Sequence, residues 1–402
     1  MRICHVVYSH YPSDPRVRKE TEALAGAGYE VHVIAARETG ELREESLGTI
    51  RVHRIPLRII RGSKVRYLYQ YVTFFLASFA LLAKLQLHYR FRVVHVHSLP
   101  DFQVFVAWFS RLCGAAVVLD LHEAMPEIIA ARFHLPQRSL LLRIAELLEV
   151  LSCSFADRVI VVAEQRALLV ASRSTHKCKI AVVMNTVDLD PSTIPPPGEL
   201  RSRLGLNGRR VLVHAGGINS ERDLETLFRA AEILAHRQPV TVLVFGKGDA
   251  GYVQHLHAVA EKEASHVDVR FSGWIAPSSV LEHLQLSDVG LGTYERNPMT
   301  ELAAPHKVFE AVAVDRPLVL ADVAGLRLVW SGAALFYQPG DADDLARQIW
   351  RLIMDPSLAF DLRSVAKRIA AQMSWKESRQ ILLQAYHQLV YPRAVASSEE
   401  GL

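Results

Sequence analysis

The stretch PHKVFEAVAVDRP, residues 305–317, is predicted to open a helix at Pro305. Proline suits a first helical turn, where its missing N–H has no partner to lose. His306 and Lys307 follow in that turn, cations at the end where the helix dipole is already positive. Glu310 lies three positions after Lys307, so both share a face. Unpaired N–H groups and an ammonium suit an anion, and a carboxylate one turn later suits hydroxyls.

A second anion-suited turn lies in VLVHAGGINSERDLETL. A strand ends in Gly216-Gly217, the loop carries Arg222, and a helix begins near Asp223. Glycines let a phosphate approach the backbone, and an arginine adds a bidentate contact. An ordinary turn with an Asp cap fits the same residues. Gly246, Gly248 and Gly251 spell G-x-G-x-x-G between a strand and a helix. A dinucleotide site also needs an acid at the end of the next strand. Here that end holds Ser272 and Gly273, which disfavours a nicotinamide oxidoreductase.

His10, His97, His122 and His214 stand at or near predicted strand ends. One such histidine is ordinarily structural; four favour a polar cleft, because open parallel sheets bind ligands beyond the carboxyl ends of their strands. His95 with His97, and His255 with His257, have H-x-H spacing but lack assignable further ligands, so no metal is expected. Asp188 and Asp190 read as turn chemistry.

The elements that must position these residues alternate strand and helix. RICHVVYS, YEVHVIAA, FRVVHVHS, AAVVLDLHE, ADRVIVVAEQ and CKIAVVMNTVD are short apolar strands, with helical runs such as RVRKETEALAGAG between them. This is the pattern of a doubly wound α/β layer. A Pro-rich segment at 189–210 breaks it and reads as a linker. The pattern then restarts with RRVLVHAGG and VTVLVFGKG. The expected plan is an N-terminal Rossmann-like domain over 1–188, the linker, a second such domain over 211–373, a closing helix over 374–391 and a disordered tail over 392–402.

With 402 residues, half of them apolar, the chain has material for two or three globular cores, and its net charge of +4 is too mild for a general nucleic-acid binder. Cys4, Cys113, Cys153 and Cys178 form no C-x-x-C pair, and reduced thiols in a cytoplasmic protein are expected. The N-terminus reads as a strand, not a signal peptide. No acid occurs between Glu45 and Asp101, a span rich in Arg and Lys that contains YLYQYVTFFLASFALLAKL. Its uninterrupted apolar part is read as too short to span a bilayer. Contact with an anionic membrane surface through residues 46–100, or a core helix with a basic flank, fits it equally.

Taken in order, these pieces resemble retaining GT-B glycosyltransferases of family 4. SDPRVRKETEALAGAGYEVHVIA resembles the family's N-terminal element, and DLHEAMPE its D-x-H-E segment. GGINSERDLETLFRAAEIL and APHKVFEAVAVDRPLVLADVAGL resemble its donor-binding half. The resemblance implies two Rossmann-like domains facing a cleft and a nucleotide diphosphate sugar as donor. It implies that Glu310 accepts hydrogen bonds from ribose hydroxyls. Lys307, Arg222 and N–H groups near Gly216, Gly217 and Ala304 then face the diphosphate. It implies that His122 contacts the transferred sugar, that Arg222 and Lys307 stabilise the leaving group, and that Asp14, Arg16 and the loop after His97 border the acceptor. No metal or other cofactor is implied.

Three positions depart from the family pattern. Eight before Glu310, where the family carries a second glutamate, stands Leu302, with Glu301 one place off. Asp223 follows Arg222 where many members have Lys, and Asp315-Arg316 replace a Gly before Pro317. The reading is a cytoplasmic enzyme, peripheral at the inner face of the cell membrane, that glycosylates a polysaccharide or lipid-linked acceptor with retention. The alternatives are a sugar-nucleotide epimerase and a non-catalytic partner subunit of the same fold.

Overall fold

Short runs of Val, Ile and Leu need cover on both faces, and the helical runs between them supply it. The computed structural model describes residues 1–59, 64–133, 135–136, 138–174, 179–184, 186 and 194–391. The chain divides into two compact units, one comprising 1–185 with 376–402, the other 186–375.

The first unit opens with β1 (Arg2–His10), α1 (Pro15–Gly26) and β2 (Glu30–Ala36). Asp14 caps α1 by accepting from the N–H groups of Arg16 and Val17. A hairpin of β3 (Glu44–Leu47) and β4 (Ile50–Ile55) leads to the long α2 (Lys64–Tyr89). Then come β5 (Val93–His97), a 3-10 turn over Asp101–Ala107, α3 (Trp108–Leu112) and β6 (Ala116–Leu121). α4 (Met125–Phe133), α5 (Leu140–Phe155), β7 (Arg158–Val161), α6 (Glu164–Arg173) and β8 (Ile180–Val182) complete the run. Among the described residues the sheet order is β3-β4-β2-β1-β5-β6-β7-β8, parallel except for the β3–β4 pair. Strand order reverses between β1 and β5.

α2 corrects one expectation. Gln70, Thr73 and Ser78 do not interrupt it, and the helix from Arg66 to Tyr89 is long and apolar enough to cross a membrane by length and composition. Phe74 and Leu82 nevertheless lie fully buried in the core of this unit, so one side of α2 is committed to the sheet.

The second unit begins with α7 (Pro197–Arg203), inside the segment expected to be linker. Leu200 and Leu206 belong to its core, so those residues are structure of this unit. It continues with β9 (Arg210–Ala215), α8 (Leu224–Ala235), β10 (Val240–Phe245), α9 (Ala250–Glu263), β11 (Asp268–Gly273), α10 (Val280–Leu284) and β12 (Gly290–Gly292). α11 (His306–Ala313), β13 (Leu318–Ala321), α12 (Ala324–Trp330), β14 (Ala334–Tyr337), α13 (Ala342–Met354) and α14 (Pro356–Gln372) follow. Two parallel ladders form, β11-β10-β9 and β12-β13-β14. Asp288 joins them: its N–H donates to Val211 O at 2.8 Å, and its carboxylate accepts from Val211 N at 2.7 Å. Strand order therefore reverses between β9 and β12, the Rossmann arrangement.

The closing helix, α15 (Trp375–Val390), belongs to the first unit. Its Tyr386 is fully buried and hydrogen-bonds His95 Nδ1 at 2.7 Å. Asp188, Asp190, Cys178 and the tail 392–402 lie outside the described residues.

Candidate active site

A crevice for ligand opens where strand order reverses, outside the carboxyl ends of the strands. In the second unit β9 ends at that point in Gly216 and Gly217. Gly216 has φ +146°. A Cβ there would lie 3.8 Å from Lys307 Nζ, so α11 brings its lysine against this turn. Gly217 N–H makes no backbone hydrogen bond with a described residue. Pro305 is the N-cap of α11, so the helix starts one place later than predicted, and the first turn presents N–H groups without intrahelical partners. Ala304 is half-buried in the approach to it.

Arg222 reaches the same point from the loop after β9, and Tyr294 from the loop after β12. An Arg222 N–H donates to the Tyr294 hydroxyl. The guanidinium carbon lies 4.8 Å from the Tyr294 ring centre, and Lys307 Nζ lies 5.8 Å from it. Thr293 Oγ1 fixes the loop by donating to Arg222 O at 2.6 Å. Lys307 Nζ and Arg222 Nε are both shielded from solvent and have no hydrogen-bond partner among the described residues. Burial, then the nearby Arg222, pushes the Lys307 ammonium well below its ordinary pKa, against an opposing pull from Glu310. Burial, then Lys307 and Arg222, likewise pushes His214 well below the usual imidazole range. Burial raises Glu310, with Lys307 opposing. Burial takes the Tyr294 hydroxyl up to about 12. Two basic side chains crowd one aromatic ring, and neither has an ion-pair partner among the described residues. An anion is what this arrangement lacks.

Each departure from the family pattern has a local role. Glu301 accepts from Ala324 N at 2.6 Å and pairs with Arg296 at 3.3 Å, so it caps α12 and is not free to replace the residue at Leu302. Asp223 takes the left-handed conformation (φ +47°) and caps α8 by accepting from Thr226 N. Asp315 is also left-handed (φ +59°), past the end of α11 where glycine is usual, and it pairs with Lys367 at 2.8 Å and Arg363 at 3.3 Å.

The G-x-G-x-x-G run packs backbone on backbone. A Cβ on Gly246 would fall 1.7 Å from Gly216 O, and one on Gly248 2.3 Å from Ile218 O. These glycines let the β9 turn lie flat on the β10 turn, where Ile218 N donates to Lys247 O at 2.9 Å. Gly246→Ala is expected to lose about 3 kcal/mol in urea unfolding, because neither backbone can yield without moving the Gly216 turn.

In the first unit, the strand ends at the reversal carry a buried polar cluster. Arg16 grips Asp120 with two bonds, Nε to Oδ2 at 2.9 Å and Nη2 to Oδ1 at 2.8 Å, and also donates to Val183 O at 2.8 Å. One set of protons links Tyr386, His5, His97 and His122 to its carboxylate, while His95 Nε2 is left without a hydrogen-bond partner among the described residues. Tyr386 O–H donates to His5 Nε2 (3.3 Å), and His5 Nδ1–H to His97 Nε2 (2.9 Å). His97 Nδ1–H then donates to Asp120 Oδ2 (3.2 Å), as does His122 Nε2–H (3.0 Å). Burial alone would raise Asp120; Arg16, with His122 and His97, overrides it and holds the carboxyl well below the usual range. Burial, only partly offset by Arg16, pushes Glu20 well above its usual value. Burial pushes His5, His95 and His97 down, so they are neutral.

The acceptor-side expectations need correcting here. Arg16 and His97 are buried, Arg16 bonded to Asp120 and His97 set between His5 and Asp120. Asp14 is occupied as the α1 cap. His122, its side chain 18% exposed, is the member of the cluster that reaches solvent, with Nε2 committed to Asp120. Asp120 and Tyr294 were missed as site residues. The first stands two places before His122, and the second two places beyond the end of β12.

Two Rossmann-like units, one with an anion-ready reversal point, define the GT-B build. Residues 16–191 match Glycosyltransferase Family 4, and residues 209–355 match Glycosyl transferases group 1. The chain is a glycosyltransferase of the GT-B fold, a family-4 domain followed by a group-1 domain. A spore coat protein, SA, of Bacillus subtilis is 26% identical over 135 residues, 32% of this chain and 34% of that protein. The match therefore spans about a third of that relative's length. Sucrose-phosphate synthase from Thermosynechococcus elongatus has the same fold, with TM-score 0.76 and 18% identity over 98% of this chain and 100% of that one. HepE of Anabaena, solved with UDP and glucose, has TM-score 0.70 and 18% identity over 96% of this chain and 100% of that one.

Proposed function

We propose that the chain moves a sugar from a nucleotide diphosphate donor to a polysaccharide or lipid-linked acceptor with retention of configuration. The observation that carries this is the pair of shielded, unpartnered nitrogens, Lys307 Nζ and Arg222 Nε, beside the Gly216-Gly217 turn. A diphosphate would neutralise them and take N–H donors from Gly217 and the start of α11. The Glu310 carboxylate makes no hydrogen bond or ion pair with a described residue and sits one turn along, where it would accept from ribose hydroxyls. UDP in the Anabaena structure supports a donor of this class.

In the reaction, the bond from the sugar's anomeric carbon to the phosphate oxygen breaks as the acceptor oxygen bonds to that carbon. The acceptor's proton passes to the departing diphosphate. Lys307 and Arg222 stabilise the charge growing on that group, so the reading calls for no metal. His122, oriented by Asp120, is assigned to the transferred sugar. We place the reaction in the cytoplasm, where the free thiols Cys4, Cys113 and Cys153 would persist.

The test is a thermal-shift and turnover panel of UDP-, GDP- and ADP-sugars. At least one should raise Tm and be hydrolysed or transferred; silence across the panel overturns the reading. Product analysis without acceptor separates an epimerase, which needs none. Glu310→Ala should weaken binding of the preferred donor by about 1–3 kcal/mol in titration calorimetry.

A further inference from the structure

The first unit carries an exposed apolar surface. More than half of the large apolar side chains that the described residues leave exposed lie on α2, α3 and α5. On α2 these include Leu68, Val72, Leu76 and Phe79, at the spacing of one helix face. On α5, Leu140, Ile144, Leu147 and Leu151 repeat every three or four residues. Trp108 and Leu112 of α3 are exposed as well.

The three helices cover the same side of the sheet. Phe74 and Leu82 of α2, Val104 and Ala107 of the 3-10 turn, and Cys153 of α5 share one core cluster. Phe75 and Phe102 have ring centres 6.0 Å apart, and Trp108 stacks on Phe155 at 5.8 Å. Each helix thus has a buried face on the sheet and an apolar face away from it. Only 28% of the most apolar stretch of α2 is fully buried, so most of it is at least partly open to solvent.

The charge around this surface selects its occupant. Arg66, Lys84, Arg90, Arg92 and Arg143 are exposed and make no ion pair among the described residues. No acid occurs from residue 46 to residue 100, and Glu146 of α5 faces Arg173 at 3.6 Å. A second copy would bring a basic rim against a basic rim. An anionic bilayer satisfies both the apolar face and the rim, and Trp108 and Tyr69 are residues that favour the headgroup level. We infer that α2, α3 and α5 together form a surface that lies in the interface of an anionic membrane. The helices lie along the bilayer plane, because the opposite face of α2 is held by the sheet.

The test is co-sedimentation of the full chain with phosphatidylcholine vesicles, with and without about one-third phosphatidylglycerol. Binding should be about tenfold stronger to the anionic vesicles and should fall as salt is raised. Leu76→Glu and Leu147→Glu, both on exposed positions, should each reduce binding about tenfold with Tm unchanged. Equal binding to both vesicle types, or none, overturns the inference. So does full binding by Leu147→Glu, because the surface would then not include α5. A dimer in sedimentation equilibrium that Leu147→Glu dissociates, without vesicle binding, would assign the surface to a second copy instead.

Discussion

Lys307→Met should lower turnover about 10²–10³-fold while raising the Tm of the unliganded protein. The two effects have one cause. In the free protein, Lys307 Nζ is shielded, has no hydrogen-bond partner and lies near a second cation, Arg222. Replacing a buried, poorly compensated charge by an apolar side chain of similar length is neutral or stabilising. Each kcal/mol gained would raise Tm by about 2–4 °C in a domain of this size. The same ammonium would stabilise a departing diphosphate, so its loss would be felt in the transition state. A variant that loses activity and stability together would mean that Lys307 has a structural partner, and the donor assignment would fall.

The depressed pKa of Lys307 adds a second readout. Burial and Arg222 disfavour the ammonium in the free protein. A bound diphosphate favours it, so the pKa rises on binding and the complex takes up a proton. Donor affinity should therefore fall as pH rises through the depressed pKa of the free protein. Calorimetry in buffers of different ionisation enthalpy should detect the uptake, and Lys307→Met should abolish it.

What the sequence disclosed depended on the range over which each signal acts. Strands such as Val93–His97 and Val240–Phe245 are legible because their apolar composition is local. The β3–β4 hairpin is not, because EESL and IRVHRI are half polar and gain cover only after pairing. The donor residues are legible as well: a Gly-Gly turn, a loop arginine and a helix start are each short motifs. Arg16 is the opposite case. In SDPRVRKE it resembles any surface cation, and the carboxylate that buries it lies 104 positions away. α5 escaped notice for a related reason. LLLRIAELLEVL is apolar on two faces, and only the structure shows which one the sheet takes.

Asp120→Asn should cost about 3–5 kcal/mol of unfolding free energy, the range for leaving one partner of a buried ion pair uncompensated. Asp120 is fully buried and receives Arg16 on both oxygens, with His97 and His122 also on Oδ2. Asparagine keeps one acceptor and turns an NH₂ group toward donors. Arg16, its side chain 4% exposed, would lose its bidentate partner and keep only Val183 O and Glu20, at 2.8 and 3.0 Å. The pH dependence has a defined sign. The folded-state pKa of Asp120 is held below its unfolded value of about 4, so its contribution is complete above that value. It is lost as pH falls toward the folded pKa, and the acid limb of the stability curve should flatten in Asp120→Asn. Replacing both partners, Arg16→Met with Asp120→Leu, should recover most of the loss, because Glu20, already held well above the usual carboxylate range by burial, then stays protonated and no buried charge is stranded. The double variant should still be slow, since His122 would have lost the carboxylate that fixes its Nε2 proton. If Asp120→Asn proves as stable as the parent, Glu20 or water compensates Arg16, and the buried relay from Tyr386 to His122 is not what holds this sheet end together.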